Sequence, residues 1–340
     1  MPSSTIFPPG KLPLGVLEGL LDRHTRGGER VLIGARVGED AAVISFGDTC
    51  LVAKTDPITF ATDEIGHYAI HVNANDIATM GAIPKWFLAT VLLPEGKTDG
   101  ALAEQVLESI HRAAESIGVS VCGGHTEITV GLDRPVVVGQ MLGEVNRDAI
   151  VRSSDLGVGD VVLLTKGLGI EATSLIAREK REELQGMGMG ADLLDEAANY
   201  LHHPGISVLQ EARVACDTTR VHAMHDPTEG GVVTALRELA LAADAGLMVD
   251  ADSLFMSQLT RDLCTAFTLD PLGVISSGAL LIGVASEDAT RVQDAIRAKG
   301  IACEAVAQVE PKQAGLRMRQ GGQTLSLPEF DRDEIGKVFA

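Results

Sequence analysis

Apolar runs of strand length alternate with stretches of helical periodicity along most of the chain, and this alternation limits the folds open to it. AAVISF (41–46), CLVAKTD (50–56), WFLATVLL (86–93) and VVVGQMLGEV (136–145) read as strands, with helical spacing between them at 65–80 and 101–116. Ahead of them, KLPLGVLEGLLDRH (11–24) sets Leu14, Leu17, Leu20 and Leu21 at helical spacing. Elements of both periods can bury their apolar sides only by packing helices on a sheet, so an α/β or α+β domain is expected over 35–146. The polar, glycine-punctuated NRDAIVRSSDLGVGD (146–160) reads as a boundary. VVLLTKG then restarts the pattern as a strand, and GALLIGVA reads as a late central strand. Helices are expected at 169–184, 190–201, 205–214, 231–245 and 287–299. LQGMGMGADLL (184–194) reads as a flexible loop, and the closing PEFDRDEIGKVFA as charged periphery. The expected division is an N-terminal segment with a helix (1–34), a first domain (35–146), a second domain (157–311) and a C-terminal extension (312–340).

A chain of 340 residues suits two domains, and 45% hydrophobic residues with only 3% aromatics implies cores of Ala, Val, Leu and Ile. The formal charge of −19 repels nucleic acid and anionic membrane, so neither is expected as a partner. It leaves room for anionic small molecules, because a bound divalent cation reverses the local field. Cys50, Cys122, Cys216, Cys264 and Cys303 are widely spaced and form no C-x-x-C, which fits a reducing compartment rather than a disulfide scaffold. The start, MPSSTIFPPGK, lacks signal-peptide regions, and no apolar run approaches membrane-spanning length. A cytoplasmic protein is expected.

Four acidic sites sit at the edges of apolar elements: Gly38-Glu39-Asp40, Thr55-Asp56-Pro57, a polar seam of Asn73, Asn75, Asp76 and Thr79 on an apolar helix, and His225-Asp226-Pro227-Thr228-Glu229-Gly230-Gly231. Gly81 and Pro84 mark the end of the seam helix. Singly, the first is most often a turn and the last a helix cap. The seam is harder to set aside, because carboxylates on a buried face need partners. Two such charges about 4 Å apart repel by near 4 kcal/mol at an effective dielectric of about 20. Mg²⁺ removes that conflict, being a hard cation commonly held by carboxylates together with phosphates. Glycines next to the acids allow backbone N–H groups to approach phosphate, a role that suits Gly230-Gly231 and the Gly123-Gly124-His125-Thr126-Glu127 stretch. Together the four sites favour an Mg-nucleotide site.

Other chemistries lack their motifs. There is no G-x-x-x-x-G-K-[ST], no G-x-S-x-G and no H-E-x-x-H, and TKGLGIEAT (165–173) lacks the dinucleotide-binding spacing. His222 and His225 read as structural histidines rather than metal ligands. His125 is a candidate acid or base, with a structural role equally open.

GEDAAV, TDPI, VNANDIATMGA, GGHTE, HDPTEGG and ISSGALLI, in that order, resemble the AIR synthase superfamily of ATP-using enzymes, over about residues 10–311. The pairing of VNANDIATMGA with DPTEGG is most similar to the HypE branch, concerned with hydrogenase maturation. The resemblance implies two α/β domains and a homodimer whose N-terminal halves build a shared β-barrel, with ATP and Mg²⁺ in the cleft. It implies Asp40, Asp56, Asp76 and Asp226 as metal and phosphate ligands, with Gly38 beside the first and Asn73 and Asn75 supporting the seam. It further implies Gly123, Gly124 and Thr126 lining a phosphate loop, and Lys11 in a segment covering the nucleotide. His125 stands where the pattern usually has aspartate, so Glu127 is the candidate replacement ligand. The implied reaction is phosphorylation of an amide or acid oxygen. The chain ends DEIGKVFA without the terminal cysteine of that branch, which implies an external substrate, either a small molecule or a group on a partner protein. A nucleotide-binding assembly or regulatory protein without turnover, or a kinase of the thiamine-monophosphate type, are the alternatives.

Overall fold

The computed structural model describes residues 6–7, 12–36, 38–59 and 63–339, so Lys11 lies outside the described residues. Helix α1 (Leu14–His24) precedes a six-stranded sheet of β1 (Val31–Ile33), β2 (Ala42–Phe46), β3 (Thr49–Ile58), β4 (Ile83–Pro94), β5 (Ser120–Thr129) and β6 (Val136–Asn146), in the order β1-β2-β3-β6-β4-β5. All neighbours are antiparallel except the β4–β5 pair. Helices α2 (Ile65–Thr79) and α3 (Gly100–Ser116) connect β3 to β4 and β4 to β5. Period-two alternation places Phe87, Ala89, Val91 and Leu93 of β4 with Val137, Met141 and Val145 of β6 in the core beneath α2.

The positions of β6 facing α2 that lack a side chain matter as much as those that carry one. A Cβ on Gly139 would stand 2.4 Å from Asn73 Nδ2, and one on Gly143 would stand 2.3 Å from Ile77 Cγ2. The two glycines let α2 settle onto the sheet at a distance that any larger residue would forbid. Gly81, with φ +74, ends the helix in the left-handed conformation that glycine tolerates, as its position after the seam predicts.

A second, seven-stranded sheet follows: β7 (Val161–Thr165), β8 (Ala223–His225), β9 (Gly246–Asp250), β10 (Leu281–Val284), β11 (Cys303–Glu310), β12 (Leu316–Gln320) and β13 (Gln323–Ser326). Its order is β13-β12-β9-β11-β7-β10-β8. Its helices are α4 (Ile170–Glu179), α5 (Arg181–Gly186), α6 (Ala191–Ala198), α7 (Leu209–Thr218), α8 (Gly231–Ala242), α9 (Gln258–Ala266), α10 (Ala289–Arg297) and α11 (Gly336–Phe339). Strand β7 is apolar up to its last residue, Thr165, because both faces are covered. Val162 and Leu164 join α8 in one core, while Leu163 joins α7 and α10 in another. GALLIGVA supplies β10, fully buried and one place from the sheet edge.

The two halves meet along α2. Asn75, fully buried, donates from Nδ2 to Ile206 O at 2.8 Å and accepts from Val208 N–H at 2.9 Å. Ile170, Leu201 and Ile206 of the second half join the core of the first.

Three sequence expectations need correction. The helix expected at 205–214 begins at Leu209, because Asn75 takes the Val208 N–H and Lys166 donates to the carbonyls of Gly205 and Ser207. The loop expected at 184–194 contains the end of α5 and the start of α6, with only a short turn between them. The C-terminal residues are not peripheral: Leu327 and Val338 are buried, and the Asp333 carboxylate accepts from Gly230 N–H at 2.6 Å and Ile275 N–H at 3.2 Å. No described helix is long and apolar enough to cross a membrane.

Gly139→Ala should lower stability by about 1–3 kcal/mol, the usual cost of overpacking a core. The check is a fall in the urea midpoint at constant slope. An unchanged midpoint would mean that α2 does not depend on this close approach.

Candidate active site

The seam where α2 meets the second half gathers acids from four separate elements. Asp56 comes from β3, two residues after Lys54, so both side chains leave the strand on one side. Asp76 comes from the last turns of α2, Asp40 from the turn before β2, and Asp226 from the segment between β8 and α8. Lys54 Nζ lies 3.2 Å from Asp76 Oδ2 and 3.4 Å from Asp56 Oδ2. His225 Nδ1 lies 2.6 Å from Asp40 Oδ1, and its Nε2 lies 2.8 Å from Glu238 Oε2 on α8. Asp40, His225 and Asp226 offer ligand atoms all within 4.8 Å of one another.

Burial governs the electrostatics here. Loss of water raises the Asp226 carboxyl to about 7, and Asp40 beside it adds to the rise. Asp76 is raised well above the usual carboxylate range, first by burial, with Lys54 opposing and the other aspartates reinforcing the shift. Asp40 is also buried, yet its carboxyl is held below the ordinary value by His225 and Lys54. His225 is raised well above 6.5 by Asp40 and Glu238 despite its burial. An imidazole with carboxylates at both nitrogens is a protonated counter-charge rather than a metal ligand. Lys54 likewise stays charged, since the surrounding aspartates outweigh its desolvation.

Lys54 and His225 are the counter-charges of these acids. The signal for Lys54 was present in LVAKTD, where a lysine two residues before Asp56 shares its face of the strand. Asp226 Oδ2 is buried without a hydrogen-bond partner. An orphaned hard oxygen donor beside Asp40 is one that a divalent cation such as Mg²⁺ could take.

The other expected residues fall into two groups. Asn73 supports the cluster, donating from Nδ2 to Ala69 O at 2.9 Å and to Asp56 O at 3.4 Å. Gly38, with φ +84, brings the Asp40 turn against α8, where a Cβ would meet Ala242 Cβ at 2.9 Å. Asn75 joins the two halves rather than facing the cluster. Gly230 and Gly231 have committed amides: the first donates to Asp333, the second to Thr228 O at 3.0 Å. They therefore do not present free N–H groups to a phosphate. Gly123, Gly124, His125 and Thr126 lie in strand β5 instead of a loop. Gly124 is required there because a Cβ would stand 2.0 Å from Ala89 O of β4. In the sheet β5 stands three strands from β3, about 14 Å at the usual spacing of about 4.8 Å. His125 is exposed and pairs with Glu127 at 3.1 Å, so within one chain neither reaches the cluster.

An apolar cavity of about 230 Å³ lies between the end of α2 and α7, away from these acids. A smaller one adjoins Asp56 and is lined by Glu171, Tyr68 and Glu229.

The AIR synthase related protein N-terminal domain matches residues 38–145, and the corresponding C-terminal domain matches 157–318. A putative hydrogenase expression/formation protein of Methanocaldococcus jannaschii is 28% identical over 271 residues, covering 78% of this chain and 77% of that protein. Carbamoyl dehydratase HypE of Rhizobium leguminosarum bv. viciae is 29% identical over 277 residues, covering 79% of this chain and 76% of that one. Among solved structures, hydrogenase maturation protein HypE in complex with ATP superposes with a TM-score of 0.69 at 21% identity, over 94% of this chain and 92% of that chain.

The raised carboxyls set a sign for the pH dependence of the metal-free protein. Asp226 ionises near 7 when folded, against 3.8 ordinarily, so between these values the folded state holds the extra proton. Stability therefore falls as pH rises through that window. His225 acts in the same direction, its contribution being complete below 6.5 and lost as pH climbs through its raised folded value. Melting temperatures should decline from about pH 5 to about pH 8 more steeply in the wild type than in Asp226→Asn. Equal slopes would contradict the burial of an ionisable Asp226.

Proposed function

The chain belongs to the AIR synthase related family, and we propose that it is an ATP- and Mg²⁺-dependent enzyme of the HypE-like branch. In this reading it transfers a phosphoryl group to an amide or acid oxygen of its substrate, turning that oxygen into a leaving group. The observation that carries the reading is the convergence of Asp40, Asp56, Asp76 and Asp226 around Lys54 at the meeting of the two halves. Relatives named carbamoyl dehydratase and a structural neighbour crystallised with ATP support it.

Asp40, Asp56, Asp76 and Asp226 would hold Mg²⁺, which would supply charge neutralisation to the phosphates. The chain's own residues prepare that position. Lys54 keeps Asp56 and Asp76 together, and His225 keeps Asp40 ionised.

The exposed edge strand supports a homodimer in the same proposal. Strand β5 is exposed almost throughout, and Val121 and Ile128 present apolar side chains there at 43% and 60% exposure. An unpaired edge of this length invites a second copy. Pairing along β5, with the N-terminal sheets closing a barrel, would bring the Gly123–Thr126 stretch of one chain toward the cleft of its partner. Ile128→Glu should then convert a dimer into a monomer in sedimentation velocity, and a wild-type monomer would dismiss the arrangement.

Mg-ATP should raise the melting temperature of the wild type, as a ligand of the folded state must. Asp76→Asn should remove most of that rise. Sustained phosphate release in the presence of amides or acids distinguishes an enzyme from a nucleotide-binding protein without turnover. Full retention of the Mg-ATP shift in Asp76→Asn would defeat the ligand assignment.

A further inference from the structure

The larger, apolar cavity lies away from the acid cluster, and the nucleotide chemistry makes no use of it. One wall is a single face of α7, where Leu209, Ala212, Arg213 and Cys216 stand at i, i+3, i+4 and i+7. The opposite wall is the end of α2 and the chain leaving it, where Ala78, Gly81 and Ala82 are small residues that leave the gap between the two helices unfilled.

The backbone at this helix end is already paired. Ala82 N–H donates to Ile77 O at 3.2 Å, Gly81 N–H donates to Ala78 O at 2.9 Å, and Met80 O accepts from Val151 N–H at 3.1 Å. These carbonyls at the end of α2 are therefore taken, and what the wall offers is mainly apolar surface. Cys216 adds to it: burial pushes its thiol up to about 11, so at neutral pH it is an uncharged packing surface rather than a nucleophile.

Volume and charge narrow the occupant. The cavity measures about 230 Å³, and an apolar cavity of about 150 Å³ already takes up a benzene ring. A ring or branched chain with a short substituent fits this one. Among the described residues that line it, Arg213 is the one charged side chain, and no carboxylate is present. Arg213 is exposed, and its Nε donates to Asp217 Oδ2 at 2.9 Å one turn along α7. That pair is open to solvent on both sides, and such pairs hold their partners weakly. The guanidinium can therefore be shared with an arriving group, and its planar fork matches a carboxylate. A cationic ligand would meet a like charge at the same place.

We propose that this cavity is a second ligand site, for a small apolar carboxylate whose body lies between α2 and α7 and whose carboxylate pairs with Arg213 at the rim. The site does not rest on the nucleotide reading, since none of the aspartates of the acid cluster lines it.

The test is a fluorine NMR titration of the full chain with para-fluorobenzoate, fluorobenzene and para-fluorobenzylamine, with an unreactive ATP analogue and Mg²⁺ titrated separately. The benzoate should bind the wild type saturably, fluorobenzene should bind more weakly, and the benzylamine should not displace the benzoate. Ala212→Phe, which places a ring in the cavity, should abolish binding of the benzoate and of fluorobenzene. Arg213→Gln, at an exposed position, should weaken the benzoate about threefold or more, as loss of an exposed ion pair implies, and leave fluorobenzene unchanged. Both variants should bind the ATP analogue as the wild type does. Absence of saturable benzoate binding to the wild type overturns the proposal, as does displacement by the benzylamine or undiminished benzoate binding to either variant. If Ala212→Phe does not fold, Arg213→Gln decides. Loss of the ATP analogue in Arg213→Gln would overturn the separateness of the two sites.

Discussion

A single ammonium group makes the centre of this molecule possible. Lys54 Nζ lies between Asp56 and Asp76, and its charge also acts on Asp40 and Asp226. Without it, four carboxyls held at one buried junction would take up protons or force the segments apart. With it, and with His225 as a second cation, part of the repulsion is cancelled and part remains. The remainder is visible in the raised carboxyls of Asp76 and Asp226. In the proposed reading, a site left short of positive charge would accept a divalent cation carrying phosphates.

The scaffold serves this arrangement through α2. Gly139 and Gly143 let the helix lie close on the first sheet, Asn73 ties it to the backbone of β3, and Asn75 ties it to the second half. One helix therefore fixes Asp76 relative to both bodies of the protein. Asp333, from the far end of the chain, fixes the Asp226 segment by capping Gly230.

The parts legible in the sequence were those with a local signature. Strand and helix periods in the first half, the end of α2 at Gly81 and the seam on that helix could be read because each depends on residues a few positions apart. The aspartates stood out because a carboxylate beside an apolar run must find a partner. What the sequence concealed depends on distant contacts. Gly230 resembles a phosphate-binding amide until Asp333 occupies it from 103 residues away. Gly123-Gly124 punctuates like a loop, yet parallel pairing with β4 holds it as strand. The start of α7 is set by Asn75 from 133 residues upstream, which no helix-start signal records. Lys54 is a different case: its strand period is plain and sets it on the same face as Asp56, but its pairing with Asp76 depends on the packing of α2 against β3.

The central claim is that Asp40, Asp56, Asp76 and Asp226 share a divalent cation with a nucleotide's phosphates. It is tested most directly by anomalous scattering from Mn²⁺ in crystals grown with an unreactive ATP analogue. The account predicts a metal peak at coordination distance from Asp226 and at least one other of these aspartates, with phosphate oxygens completing its shell. A metal bound elsewhere, or a nucleotide whose phosphates lie away from Lys54 and these carboxylates, would contradict it.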